Sequence, residues 1–446
     1  MSSSSVDIGT LERAEATFDD LPDLADNLII KSRSFHRQYA SLYFVRLLKL
    51  RPAVLAQAKL RWESLPDKPK YVPKVLDTGI KRCYVVGTIY VEMQLKPNVL
   101  KDLTEETSIS APTMPRKYKG SEDKISIEDE SGRIELVGAI LEKEFWVTGT
   151  VVALLGKETA AGSFEVQEVC YPGVAPQPPI PQNNDNSKYV ALISGLNVGA
   201  DPATDLKLQL LTEYLTGELG TMDIQKSSSR ITRVVIAGNS IGTRQLIEED
   251  QKTKKYGYDS TRYDAAPLNQ FDELLEELCA SVPVDIMAGE KDPVNCQLPQ
   301  QPLHPSLFTK AKENATMRSV TNPYWCKMDD VTFLGTSGQN VDDIFKYADS
   351  DDPIVMAERC LFWRHIAPSA PDTLWCYPFQ DNDPFILDNS PHVYFIGNQR
   401  QFEQSTIEGP EGQKVRVVLV PAFSETGSIV LVNLGTLECS EICIDV

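Results

Sequence analysis

Apolar residues in the second half of the chain form long runs that alternate with helical spacing. The runs YVALI (189–193) and RVVIA (233–237) are near-continuous, which indicates strands buried on both faces. Leucines three or four residues apart from 208 to 219, and apolar residues at the same spacing over 268–278, predict amphipathic helices. Later runs, VTFLGT, HVYFIGN, VRVVLVPAF and SIVLVNLG, predict a second sheet. Residues 188–446 are therefore expected to form a two-sheet α/β sandwich with helices outside.

The first half begins with a helical pattern and then changes to the alternation of strands. Over residues 34–66 apolar residues recur at helical spacing from Tyr39 to Leu60, and Pro52 is expected to divide this segment into two helices. Over 67–172 short alternating runs are separated by turn signals, which predicts antiparallel strands. A strand, a long insertion, a tight hairpin and a final apolar strand match a small Greek-key barrel of the OB-fold type.

Two segments without an apolar period are expected to lie outside these domains. Residues 173–187, GVAPQPPIPQNNDNS, are rich in proline and asparagine and predict a linker. Residues 1–33 are expected to form a flexible N-terminal tail, and their start lacks the basic and apolar regions of a targeting peptide. No run of about 18 apolar residues predicts a membrane span.

Composition narrows the class of partner. The formal net charge is -19 with 63 acidic residues, which argues against the chain alone holding nucleic acid, because phosphate binding draws on clustered Lys and Arg. This acidity favours a protein partner. The nine cysteines show no repeated CxxC pattern, which favours reduced thiols over a disulfide framework.

Four loops that follow predicted strands resemble the metal loops of calcineurin-like two-metal phosphoesterases. They are SGLNVG (194–199), GNS (238–240), GEKD (289–292) and GNQR (397–400). The enzymes carry aspartate, asparagine and histidine ligands in these loops, and most of those ligands are replaced in this sequence. The degenerate positions are Gly195, Asn197, Asn239, Glu290, Lys291, Asn398 and Arg400.

These replacements predict an inactive site that holds no metal or other cofactor. Two divalent ions need a bridging carboxylate and several imidazoles, and the amide of Asn239 cannot bridge them. Lys291 and Arg400 would add positive charge that repels a cation. The chain has four histidines, of which only His365 resembles a ligand position of the enzymes. We therefore expect no catalytic residue and no metal ligand in these loops.

Two other functions remain open at this stage. One is a metal-dependent phosphoesterase that uses substituted ligands. Its candidate ligands are Asn239, Glu290, Asp292 and His365. The other is a single-strand binder that acts through the barrel, although many carboxylates cross that segment. Its aromatic candidates for base stacking are Tyr84, Tyr90, Phe145 and Trp146.

Taken together, the helical segment, the acidic barrel and the degenerate loops resemble the B-subunits of replicative B-family DNA polymerases, and within them the delta branch. The segments that carry the resemblance are QYASLYFVRL (38–47), VVGTIYVEMQLKPNVL (85–100), LPQQPLHPSLF (298–308), GTSGQNVDDI (335–344) and HIAPSAPDTLWCYPFQDNDPFIL (365–387). The resemblance covers nearly the whole chain from about residue 30.

This resemblance implies a nuclear, non-catalytic scaffold subunit in DNA replication and repair synthesis. Members of the family bind the cysteine-rich C-terminal domain of the catalytic subunit and form a bridge to a third, elongated subunit that carries a clamp-binding motif. The sliding clamp is then an indirect partner, and contact with DNA is expected to be weak or indirect. No motif assigns partner-binding residues, and exposed aromatics within Trp375–Phe385 are the candidate anchors.

Overall fold

The computed structural model describes residues 11–34, 36–96, 115–181, 187–242 and 265–445. The helices are α1 (Pro22–Ala25), α2 (Ala40–Trp62), α3 (Pro202–Thr216), α4 (Met222–Ser228), α5 (Ala266–Ser281), α6 (Gln339–Phe345), α7 (Pro353–Phe362) and α8 (Phe423–Thr426). The strands are β1 (Phe18–Asp19), β2 (Lys70–Tyr71), β3 (Cys83–Glu92), β4 (Lys124–Glu128), β5 (Arg133–Val137), β6 (Val151–Glu158), β7 (Phe164–Cys170), β8 (Tyr189–Ile193), β9 (Ile231–Ala237), β10 (Val284–Met287), β11 (Met317–Val320), β12 (Tyr324–Met328), β13 (Val331–Thr336), β14 (Val393–Gln399), β15 (Glu403–Glu408), β16 (Lys414–Pro421), β17 (Ser428–Asn433) and β18 (Cys439–Cys443). Over these ranges no helix combines the length and apolar character needed to cross a bilayer.

Strands β2 to β7 form a closed barrel that α2 covers on one side. The strand order is β2-β3-β4-β5-β7-β6, and pairing of β3 with β6 closes the barrel. Alternation along β3 places Val85 and Ile89 in the barrel core, whereas Tyr84 and Val86 pack against α2. The all-β module expected over 67–172 is therefore present.

The prediction that Pro52 divides the N-terminal segment into two helices was wrong. Helix α2 is continuous, and Pro52 lies inside it. Proline removes the hydrogen bond to the carbonyl of Leu48, but both residues lie on the exposed side of the helix, where water can replace that donor. Leu60, which the apolar spacing grouped with buried residues, is 77% exposed.

Two six-stranded sheets pack face to face in the second domain. Their strand orders are β11-β10-β9-β8-β17-β18 and β1-β12-β13-β14-β16-β15. Side chains from both sheets, such as Val235 on β9 and Phe395 on β14, fill the space between them. Residues of α3 and α5 pack with the outer face of the first sheet, and residues of α6 and α7 with that of the second. The mixed α/β architecture matches the sandwich that the sequence predicts.

The barrel and the sandwich share one hydrophobic core. The cluster that contains Val85 and Leu154 of the barrel also contains Trp363 and Tyr394 of the sandwich domain. The ring of Phe145, from the barrel, lies 5.6 Å from the ring of Trp363. The two domains are therefore packed against each other and not merely joined by a connecting chain.

The first part of the predicted linker is packed, which differs from a free connection. Val174 and Ala175 are buried. The guanidinium of Arg364 donates to the carbonyls of Gly173 at 2.8 Å and Val174 at 2.9 Å. Because this segment lies outside the sheets, its carbonyls need such side-chain donors when they are buried. Residues 182–186 of the predicted linker lie outside the described residues.

The described part of the N-terminal tail is attached to the sandwich. Strand β1 pairs with β12. The ring of Phe18 lies 4.0 Å from the guanidinium of Arg233 and 4.4 Å from that of Arg318. The sequence predicted a flexible tail over residues 1–33, and the structure differs from that prediction at β1, because cation–π contacts and strand pairing stabilise the segment. The first ten residues lie outside the described part.

Candidate functional site

The four motif loops meet at one end of the sandwich. Strands β8, β9 and β10 are parallel neighbours, so the loops after them lie along the same edge of their sheet. The N–H of Gly195 donates to the carbonyl of Gly238 at 2.9 Å, and the N–H of Asn197 donates to the carbonyl of Asn239 at 3.1 Å. The structure thus brings the first two sequence motifs into direct contact.

Asn398 connects this edge to the facing sheet. Its Nδ2 donates to the carbonyl of Ala237 at 3.1 Å and to the carbonyl of Ser337 at 2.8 Å, and its backbone N–H donates to Ser194 Oγ at 2.8 Å. These bonds join the ends of strands from both sheets. They also direct amide donors into the centre of the four loops, where a metal ion would require lone pairs.

Three asparagines at this site adopt the left-handed backbone conformation. The φ angles are +47° at Asn197, +53° at Asn239 and +57° at Asn398. Among residues other than glycine, asparagine adopts this region most readily, because its short polar side chain bonds nearby backbone groups. The Asn239 side chain does so, since its Oδ1 accepts the backbone N–H of Lys291 at 3.0 Å. Asparagine at these positions therefore has a structural reason as well as a resemblance to former ligand positions.

Gly195 leaves no space for a side chain. Its φ is +61°, and a Cβ placed there would lie 2.9 Å from Asn398 Oδ1 and 2.8 Å from the Cβ of Ala422. A carboxylate at this position would require both neighbours to move. The loop is thus closed against the residue type that a metal site needs.

The variant Gly195→Ala is expected to lower the free energy of unfolding by about 2 kcal/mol, from the left-handed backbone and the steric contact together. Gly412→Ala is the matched control, because Gly412 has φ +86° but no atom within 4 Å of the position that a Cβ would take. The control should lose only about 1 kcal/mol, the backbone part alone. Urea denaturation measures both, and equal losses would show that the contacts at Gly195 cost nothing.

Asp292 holds two of the loops together. Its Oδ1 accepts the N–H groups of Ser240 at 2.9 Å and Ile241 at 3.0 Å, and its Oδ2 accepts the N–H of Gly289 at 2.8 Å. Burial raises the pKa of this carboxyl, and the backbone N–H donors oppose the rise. Both oxygens are engaged with backbone donors, which disfavours Asp292 as a substituted metal ligand.

The charged motif residues lie on the rim of the site. Glu290, Lys291 and Arg400 are exposed. Arg400 lines a depression of about 290 Å³ together with Arg116, and Lys291 lines a second one of about 280 Å³. Within the described ranges, no group of three or more His, Cys, Asp or Glu side chains is placed to hold a metal ion.

His365 belongs to a different cluster, beneath α2. Its Nδ1 accepts the N–H of Ala367 at 3.2 Å, so Nε2 carries the proton and donates to Asp383 Oδ2 at 3.0 Å. Asp383 also accepts Arg46 Nε at 2.8 Å. Burial, and then the charge of Arg46, lower the pKa of His365 to about 4, so this imidazole is neutral. None of these partners belongs to the four loops.

The aromatic candidates are mostly buried. In the segment Trp375–Phe385, Trp375 is 67% exposed, whereas Tyr377 and Phe385 lie in the interior. In the barrel, Tyr84 and Trp146 are also buried. An aromatic surface for stacking nucleic-acid bases is therefore not formed by these two residues.

Comparison with known proteins identifies the class first. The family described as the DNA polymerase alpha/epsilon B subunit matches residues 190–404, the greater part of the sandwich. The family described as the DNA polymerase delta subunit OB-fold domain matches residues 38–169, which are α2 and the barrel. These matches place the chain among small subunits of replicative DNA polymerases.

Individual relatives narrow this class. The DNA polymerase delta small subunit of Oryza sativa subsp. japonica is 41% identical over 431 residues, covering 96% of this chain and 98% of the relative. That of Arabidopsis thaliana is 43% identical, with coverage of 96% and 95%. That of Saccharomyces cerevisiae is 37% identical over 463 residues, with coverage of 94% and 92%. The chain belongs to the family of DNA polymerase delta small subunits.

Proposed function

We propose that this chain is a non-catalytic scaffold subunit of the DNA polymerase delta holoenzyme. It binds the cysteine-rich C-terminal domain of the catalytic subunit and bridges to the third subunit, through which the sliding clamp is reached. It acts in the nucleus, in DNA replication and repair synthesis. Identity of 37% to a DNA polymerase delta small subunit over 94% of this chain is the observation that carries the proposal.

The geometry of the four loops supports a role without catalysis. The oxygens of Asp292 accept backbone donors, Asn239 Oδ1 accepts the N–H of Lys291, and the amide of Asn398 donates to two carbonyls. Each bond uses a group that a metal-bound phosphoesterase would direct at an ion or at substrate. The loops instead stabilise the end of the sandwich.

The packing of the two domains supports a scaffold. Since barrel and sandwich share a core, surfaces on both are presented in a fixed relation, and a partner that spans them avoids the entropy cost of ordering two domains. A stable interface of this kind should bury upward of about 1,200 Å². The acidic surface is suited to basic regions of a partner.

Co-expression of the full chain with the cysteine-rich C-terminal domain of a polymerase delta catalytic subunit tests this function. Size-exclusion chromatography should show one stoichiometric peak, and metal analysis of that peak should find only the metal that the partner also binds alone. Separate elution of the two proteins would contradict the scaffold function.

The alternative function, a phosphoesterase with substituted ligands, is tested by manganese-dependent hydrolysis of a generic phosphodiester. We expect no turnover above a blank for the wild-type chain. Hydrolysis that disappears in Asn239→Ala would instead support catalysis, because Asn239 occupies the place of the bridging carboxylate. Retention of the same hydrolysis in Asn239→Ala would point to a contaminating enzyme.

A further inference from the structure

Helix α2 carries a second apolar face that no described residue covers. Phe44, Leu48, Pro52, Ala56 and Leu60 follow one another at intervals of four residues, and all five are exposed. The exposed fractions are 57% at Phe44, 57% at Leu48 and 77% at Leu60. We call this row the outer ridge of α2. Isolated exposed apolar residues are ordinary, but a continuous row along one helix marks an interaction surface.

The charge on α2 is opposite to that of the rest of the protein. The helix ASLYFVRLLKLRPAVLAQAKLRW contains no Asp or Glu, in a chain that has 63 of them. Lys49, Lys59 and Arg61 are exposed beside the outer ridge. The ridge is therefore apolar along its length and flanked by positive charge.

We propose that the outer ridge of α2 is the docking site of an acidic amphipathic helix from a partner protein. Side chains four residues apart form the ridges that interlock when two helices pack at about -50°. The row spans 16 residues, or about 24 Å at about 1.5 Å per residue, so it matches a partner helix of about four turns. Glutamates on the flanks of that helix would meet Lys49 and Lys59. The proposal goes beyond the scaffold function above, which assigns no contact residue.

A protein helix fits this surface better than nucleic acid or a lipid bilayer does. Only Phe44 in the row is aromatic, so successive bases would find no stacking surface. Two arginines of the helix already pair with barrel carboxylates, Arg51 with Glu130 and Arg61 with Glu168. The net charge of -19 opposes polyanions of many charges, whereas a short helix responds mainly to charges within a Debye length of about 8 Å.

Fluorescence anisotropy with a designed probe tests the proposal on the full chain. The probe is a labelled peptide of about 18 residues with leucines on one helical face and glutamates on the other. A scrambled peptide of identical composition removes the apolar face, and a version with lysine for every glutamate reverses the charge. At about 0.15 M salt the acidic probe should bind at least about tenfold more tightly than either control.

Two variants locate the binding. Phe44→Ser with Leu48→Ser should weaken the acidic probe by at least about tenfold, and Lys49→Glu with Lys59→Glu should weaken it less and in a salt-dependent way. Leu206→Ser with Met222→Ser is the matched control, because these residues are 48% and 49% exposed on helices of the sandwich. This control should bind like wild type. Thermal unfolding within a few degrees of wild type shows that each variant is folded.

Several results would overturn the proposal. Binding of the acidic probe no tighter than the scrambled peptide would do so, as would unchanged affinity in Phe44→Ser/Leu48→Ser. A single-stranded oligonucleotide and anionic phosphatidylserine vesicles are tested in parallel. If either binds the wild type and is lost in the ridge variant, while the acidic probe does not bind, the ridge recognises another class of partner.

Discussion

Replacement of Arg46 by methionine is expected to lower the free energy of unfolding by about 3–5 kcal/mol, the cost of breaking a buried ion pair. Arg46 lies on α2 and is fully buried with Asp383. Its guanidinium also donates to the carbonyls of Gly149 at 3.3 Å, Pro368 at 2.7 Å and Ala370 at 2.8 Å. Methionine fills the volume of the aliphatic stem but leaves the carboxylate and these carbonyls without their donor. Urea denaturation followed by far-UV circular dichroism measures the loss.

Arg51→Met is the matched control on the same helix. Arg51 pairs with Glu130 at the surface, where both side chains are partly exposed, so the control should cost less than about 1 kcal/mol. The double variant Arg46→Met/Asp383→Asn should recover part of the loss, because it removes the buried negative charge as well. If Arg46→Met and Arg51→Met lose similar amounts, the buried cluster does not hold α2 to the rest of the chain.

The stability of the protein should fall as the pH drops from about 6.5 to about 4, and His365 should account for about 3 kcal/mol of that fall. Burial and Arg46 lower the pKa of His365 from 6.5 to about 4. The unfolded chain therefore takes up a proton before the folded one does. The contribution is fully present above the unfolded pKa and is lost as the pH falls toward the folded pKa. Asp383 does not blur this window, because its pKa is held well below the usual range: burial raises it, but Arg46 and His365 together lower it by more.

His365→Gln removes the titration while it keeps a donor to Asp383. The difference in unfolding free energy between wild type and this variant should shrink as the pH falls, by about 1.4 kcal/mol per unit between the two pKa values. His36→Gln is the control, since His36 is exposed. Parallel pH profiles for wild type and His365→Gln would show that His365 does not titrate differently in the folded state.

The sequence predicts the two sheets and the barrel well because their signals are local. The runs at 189–193 and 233–237 became β8 and the later part of β9, and alternation along β3 separates the barrel core from the α2 contact. The continuous helix through Pro52 was not predicted, because the tolerance of a proline depends on which side of the helix faces water. That side is set by tertiary packing.

The site was predicted in its membership but not in its bonding. The loops at Gly195, Asn239 and Asn398 come together as their positions after strands suggest. The Arg46 cluster was missed, although an arginine at helical spacing between Leu42 and Leu50 offered a signal. Its partner lies 337 residues further along the chain, and no local pattern identifies such a pair. Ser194 and Ser337, which bond Asn398, were missed for the same reason.

That distance also sets an order of events during synthesis. Translation at about 5–20 residues per second needs roughly 20 s to 1 min to produce the 337 residues between Arg46 and Asp383. Until then the Arg46 guanidinium has no carboxylate to pair with, and carbonyls of Pro368 and Ala370 do not yet exist to accept its protons. The N-terminal helix therefore completes its packing only when the chain is nearly finished, so a ribosome that stalls before Asp383 leaves a nascent chain whose first helix is incompletely packed and open to chaperones.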